Sequence, residues 1–105
     1  MRTEPKPNGL RITTQYFRGD VRVCELEVAG SLLDLCIWKE GASGWRVEAR
    51  DSRAEGAVAI AESSATAAEA FGAVAREWSE RGPALGLRAF DWLAVGNVLR
   101  SVSAI

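Results

Sequence analysis

The chain has 105 residues, is 48% hydrophobic and 26% charged, and carries a formal net charge of −1, the make-up of one soluble domain able to bury about two-thirds of its surface. It contains no histidine, which excludes histidine triads and ordinary zinc sites, and no apolar run approaches the roughly 20 residues that a membrane-spanning helix needs. Thirteen basic against fourteen acidic residues leave no overall cationic surplus for phosphate binding.

Residues 1–9 carry Pro5, Pro7 and Asn8-Gly9 and little that can be buried, so they are expected to form a flexible tail ahead of a single domain over 10–105. The basic start has no apolar run behind it and does not read as a signal peptide, which points to a cytoplasmic protein. From Leu10 to about Glu62, short periodic runs alternate with turn signals at Arg18-Gly19-Asp20, Gly30-Ser31, Gly41 to Gly44 and Asp51 to Gly56. That pattern predicts five antiparallel strands, at 10–17, 21–29, 32–39, 45–50 and 57–61, joined in a meander.

The period then changes. Thr66 and Glu69 stand at capping-box spacing, and Ala67, Phe71, Val74 and Trp78 recur on one helical face before Gly82-Pro83 stops the helix. A second helix is expected from Asp91, with Phe90 and Val95 placed as a hydrophobic staple and Trp92, Val95, Leu99 and Val102 as its apolar stripe. The resulting fold class is α+β: a five-stranded antiparallel meander with two C-terminal helices packed on one face.

Alternation along the strands separates core from surface. A two-residue turn at Gly30-Ser31 sets Cys24, Leu26 and Val28 on one face with Leu33, Leu35 and Ile37, and a three-residue loop around 17–21 adds Leu10 and Ile12 and places Arg11 opposite Glu27. Trp45, Val47, Ala49, Val58 and Ile60 extend this face, which the helices should cover. Cys24 then points inward and Cys36 outward opposite Glu25, so no disulfide is expected between them. The other face carries Arg11, Glu25, Glu27, Asp34, Arg46, Glu48 and Arg50, a mixed-charge solvated surface. Phe17, Val21, Val23 and Trp38 gather toward one end of it, with Val23 and Trp38 as cross-strand neighbours.

Motifs for chemistry are sparse. Arg18-Gly19-Asp20 matches an adhesion tripeptide, yet glycine and aspartate are ordinary turn residues. The acidic group Glu25, Glu27 and Asp34 has arginines beside it, which suits a solvated sheet better than a cation site. Ser63, Ser64 and Thr66 read as capping residues, and the glycines form no nucleotide-binding fingerprint. The helix opening at Ser63 to Glu69 contains no lysine, unlike the phosphate-holding helix of double-stranded-RNA-binding domains, which also follows a sheet. Trp45, Trp78 and Trp92 fall at core positions, leaving Trp38 as the exposed tryptophan.

No catalytic residue, metal site or cofactor is therefore expected, and no membrane partner. The reading is a non-enzymatic interaction or regulatory module that forms a homodimer, or binds another protein, through an apolar patch of Phe17, Val21, Val23 and Trp38 on the open sheet face. The alternative is nucleic-acid binding through Arg22, Arg46, Arg50 and Arg53 with stacking on Trp38.

Overall fold

The computed structural model describes residues 10–28, 30–51 and 59–105. The tail expected at 1–9, the last residue of the expected second strand, the turn after Asp51, Arg53, and Val58 with the start of the expected fifth strand lie outside the described residues. Among those described, five strands form one antiparallel sheet in sequential order: β1 (Arg11–Arg18), β2 (Val21–Val28), β3 (Ser31–Glu40), β4 (Gly44–Asp51) and β5 (Ala59–Ser64). Two helices follow, α1 (Ala67–Arg81) and α2 (Trp92–Ser101), with a short 3-10 turn at Pro83–Leu85 between them. The expected α+β meander with C-terminal helices is the observed fold.

The covered face is aliphatic because alternate residues of the central strands are. Cys24, Leu26 and Val28 of β2, Leu33, Leu35 and Ile37 of β3, and Val47 and Ala49 of β4 are buried in one cluster with Phe71, Val74 and Trp78 of α1 and Val95 and Leu99 of α2. Removing each of these larger side chains from water contributes about 1.5–3 kcal/mol. Helix α1 lies over β4 and β5, so the opposite edge, β1, receives little cover and nearly every residue in it is exposed.

Local chemistry fixes the helix ends. The Thr66 hydroxyl accepts the Glu69 N–H at 3.1 Å and donates to Glu69 Oε1 at 3.2 Å, so the glutamate engages the cap hydroxyl where the capping-box pattern had led us to expect a backbone N–H. Ser63 and Ser64 do not share in capping. They continue β5 opposite Arg46 and Trp45. At α2 the Asp91 carboxylate accepts from Ala94 N at 3.1 Å, while the Phe90 ring packs edge-on against Trp78 and Trp92. Beyond α2, Ala104 N–H reaches Leu99 O at 2.8 Å and Ser103 N–H reaches Arg100 O at 3.0 Å. Ser103 takes a left-handed φ of 58° to close this motif.

The segment between the helices is strapped to the sheet by Arg88. Its backbone N–H donates to Asp51 Oδ2 at 3.2 Å, its guanidinium donates to Ser31 Oγ at 2.5 Å, and its carbonyl accepts the Trp78 indole N–H at 2.7 Å. Among the described residues no helix is long and apolar enough to cross a membrane.

Candidate functional site

The arrangement around β1 follows from two register details. Gly19, at φ +62°, allows the tight turn that pairs Arg18 with Val21. Counting back from that turn, Phe17 faces Arg22, Tyr16 faces Val23 and Thr14 faces Glu25, whereas Ile12 faces Leu26 and Arg11 faces Glu27. Two steps on β1 thus match one on β2, and Thr13 is the additional residue of a β-bulge. The Thr13 hydroxyl is held by Glu25, 2.8 Å from Oε1 and 3.2 Å from the backbone oxygen.

The bulge reverses the alternation expected for the second half of β1. Phe17 does not join Val21, Val23 and Trp38 on the open face, as unbroken alternation from Leu10 and Ile12 had suggested. It shares the covered face with Arg22, whose guanidinium sits 5.1 Å from the Phe17 ring centroid and donates to Ser103 O at 3.0 Å. Phe17 there walls a cleft of about 300 Å³ with Ile37, Trp45 and Ala104. The open-face position goes to Tyr16, which sequence reasoning missed. Tyr16 is 48% exposed and Phe17 is 63% exposed, so the edge strand presents one large ring on each side of the sheet.

The second detail concerns β2 and β3. Their hairpin closes at the pair Val28–Ser31, and Gly30 has φ +83°, where a turn at Gly30-Ser31 had been expected. The displacement is two residues, which preserves every face but changes the neighbours. Val23 lies opposite Cys36 and not Trp38; Glu25 lies opposite Asp34 and not Cys36. Trp38 pairs with Arg46, whose guanidinium is 6.0 Å from the indole centroid. Val23 is only 9% exposed and Trp38 and Val21 are half-buried, so the apolar floor of the open face is better covered than the residue types alone suggest.

This face is concave near β1. A cleft of about 350 Å³ is lined by Tyr16, Arg18, Val23, Cys36, Glu48 and Arg50, among others. Within it Arg50 pairs with Glu48 at 3.2 Å, and further along the same face Arg11 pairs with Glu27 at 2.8 Å. Both ion pairs are solvent-exposed and contribute less than about 1 kcal/mol each. Among the described residues no three His, Cys, Asp or Glu side chains converge to hold a metal ion.

Cys24 and Cys36 are free thiols on opposite faces of the sheet. Burial pushes both above the ordinary thiol value of 9.0; around Cys36 the Glu48 carboxylate adds to this while Arg18 and Arg50 partly oppose it. A thiol held protonated in the native state contributes stability that is complete below its unfolded pKa and is lost as pH rises past it, because the unfolded chain releases its proton first. The denaturant midpoint should therefore fall as pH is raised beyond 9.0, and it should fall less in a Cys24→Ala/Cys36→Ala variant. An equal fall in both proteins would show that other groups control the alkaline limit.

The arginines considered for nucleic acid do not form one stripe. Arg22 is on the covered face, tied to Ser103. Arg46 is on the open face, donating to Ser63 Oγ at 3.1 Å, and Arg50 is paired with Glu48. Comparison with known protein families, curated proteins and solved structures finds no match to this chain.

Proposed function

We propose that this chain is a non-enzymatic protein-interaction module that forms a homodimer through the β1 side of its sheet. One observation carries the reading: β1 is an edge strand exposed on both faces, with Tyr16 and Phe17 the large exposed hydrophobics of the sheet among the described residues. An edge of this kind offers unpaired backbone donors and acceptors together with apolar surface, the combination that favours strand-to-strand association. The half-buried Val21 and Trp38 extend that surface on the open face over the nearly buried Val23, with Tyr16 in the place first assigned to Phe17. A net charge of −1 sets little repulsion between copies. Two free thiols suit a reducing compartment, which supports a cytoplasmic location.

The test is solution mass against concentration. The wild-type mass should rise toward twice that of the monomer by high micromolar concentration, and a Tyr16→Lys/Phe17→Lys variant should remain monomeric with its far-UV circular dichroism unchanged. A wild type that stays monomeric at high micromolar concentration rejects the reading. The nucleic-acid alternative rests on Arg46 stacked over Trp38. It requires retention on a nucleic-acid matrix that weakens steeply with salt and is lost in Arg46→Ala.

A further inference from the structure

Resting on the self-association reading, we propose that the second copy pairs antiparallel with β1 about a twofold axis through Tyr16, joining the two sheets into one. The reasoning begins with where β1 is regular. Thr13 bulges out of the ladder and Gly19-Asp20 turns the chain, so uninterrupted strand geometry is confined to residues 14–18.

Directly opposed residues of an antiparallel pair point to the same side of the sheet. When a strand pairs with its own copy about a twofold axis perpendicular to the sheet, that condition forces the axis through a residue and not between two. Three centres are then available inside the regular segment. Centring on Gln15 sets Phe17 against the bulged Thr13, and centring on Phe17 sets Gln15 against the turn residue Gly19. Centring on Tyr16 uses the whole segment, with Thr14 opposite Arg18, Gln15 opposite Phe17, and Tyr16 opposite its counterpart on the open face.

Charge agrees with the same register. No arginine faces an arginine, since Arg18 meets Thr14. Beyond the paired segment, Asp20 at the hairpin tip runs alongside the second copy's Arg11, which places opposite charges together at both ends of the interface. The strand also lacks the usual protection against such pairing: it contains no proline and no lysine, and its arginines, Arg11 and Arg18, stand only at its two ends. A self-matching segment of this kind specifies a second copy of the chain rather than an unrelated strand.

Single-cysteine cross-linking of the full chain tests this register. In a Cys24→Ala/Cys36→Ala background, opposed Cα atoms lie about 4.5–5.5 Å apart, within disulfide reach, so Tyr16→Cys should oxidise to a covalent dimer. Thr14→Cys and Arg18→Cys alone should not, because each would be about 13 Å from its own counterpart, but an equimolar mixture of the two should give the heterodimer. Ser79→Cys, on an exposed part of α1, sets the level of collisional cross-linking. A wild type that dimerises by mass while the Tyr16→Cys chain and the mixed pair stay at the Ser79→Cys level overturns the register and leaves self-association standing. Self-cross-linking at position 14 or 18 does the same. A monomeric wild type removes both proposals.

Discussion

Replacing Trp78 with alanine should lower the free energy of unfolding by about 3–5 kcal/mol, the range for truncating a fully buried tryptophan. Small domains have only about 5–15 kcal/mol in total, so the variant should be partly unfolded at moderate temperature. Trp78 is 1% exposed. Its ring packs edge-on against Phe90 at 5.7 Å and Trp92 at 5.3 Å, and its indole N–H donates to Arg88 O. Alanine would leave a cavity where α1, α2 and their connection meet, and would remove the donor on which the Arg88 carbonyl depends. Urea denaturation followed by far-UV circular dichroism provides the measurement, with Trp78→Phe as the control that keeps a ring and loses the hydrogen bond. A loss under about 1 kcal/mol for the alanine variant would mean that the aromatic cluster is not what joins the helices.

Asp51→Ala comes next, at about 2–4 kcal/mol. Asp51 ends β4 at 2% exposure and is the buried polar residue of the core among the described residues. Its carboxylate accepts the Arg88 backbone N–H at 3.2 Å and lies 4.0 Å from the Arg88 Nε. Truncation leaves the part-buried Arg88 N–H without this acceptor and takes the counter-charge away from a guanidinium that also holds Ser31 Oγ. Asp51→Asn retains an acceptor oxygen and should lose less than half as much. If the two variants lose equal stability in urea, the hydrogen bond is immaterial and the carboxylate charge carries the strap; if neither loses any, the link from β4 to the interhelical segment is made by packing alone.

The covered face was legible because it is redundantly encoded. Leu26, Leu33, Leu35, Val47 and Ala49 alternate in three adjacent strands, and a register error of two residues between β2 and β3 moves none of them across the sheet. The helices were legible for a similar reason: Thr66 and Asp91 cap them, and both apolar stripes have helical spacing. Neighbours across strands were not legible, since a hairpin closing at Val28–Ser31 and one whose turn sits one residue later, which shifts the β2–β3 pairing by two, satisfy the same pattern of burial. That is why the expected neighbour of Val23 is Trp38, whereas the observed one is Cys36.

β1 failed differently. Its hydrophobic end, Leu10 and Ile12, fixes one phase of alternation, and the tight turn at Gly19-Asp20 fixes the opposite phase for Phe17. Both are correct, and their conflict was the available signal for an additional residue between them. A loop of three residues around 17–21 absorbed the conflict at the wrong end of the strand. Arg88 left no comparable signal, because its role depends on where the interhelical segment crosses β4, a tertiary matter on which local pattern is silent.

Thr13 also bears on how this chain can change over generations. Every pair on either side of it, Ile12 with Leu26 and Thr14 with Glu25, survives if it is excised, because the flanking residues then alternate without interruption. Loss of one codon anywhere between Thr14 and Arg18 would instead shift the remainder of the strand and exchange its inward and outward side chains. Natural length variation within β1 should accordingly collect at position 13, and descendants lacking it should keep Tyr16 and Phe17 on the sides they occupy now.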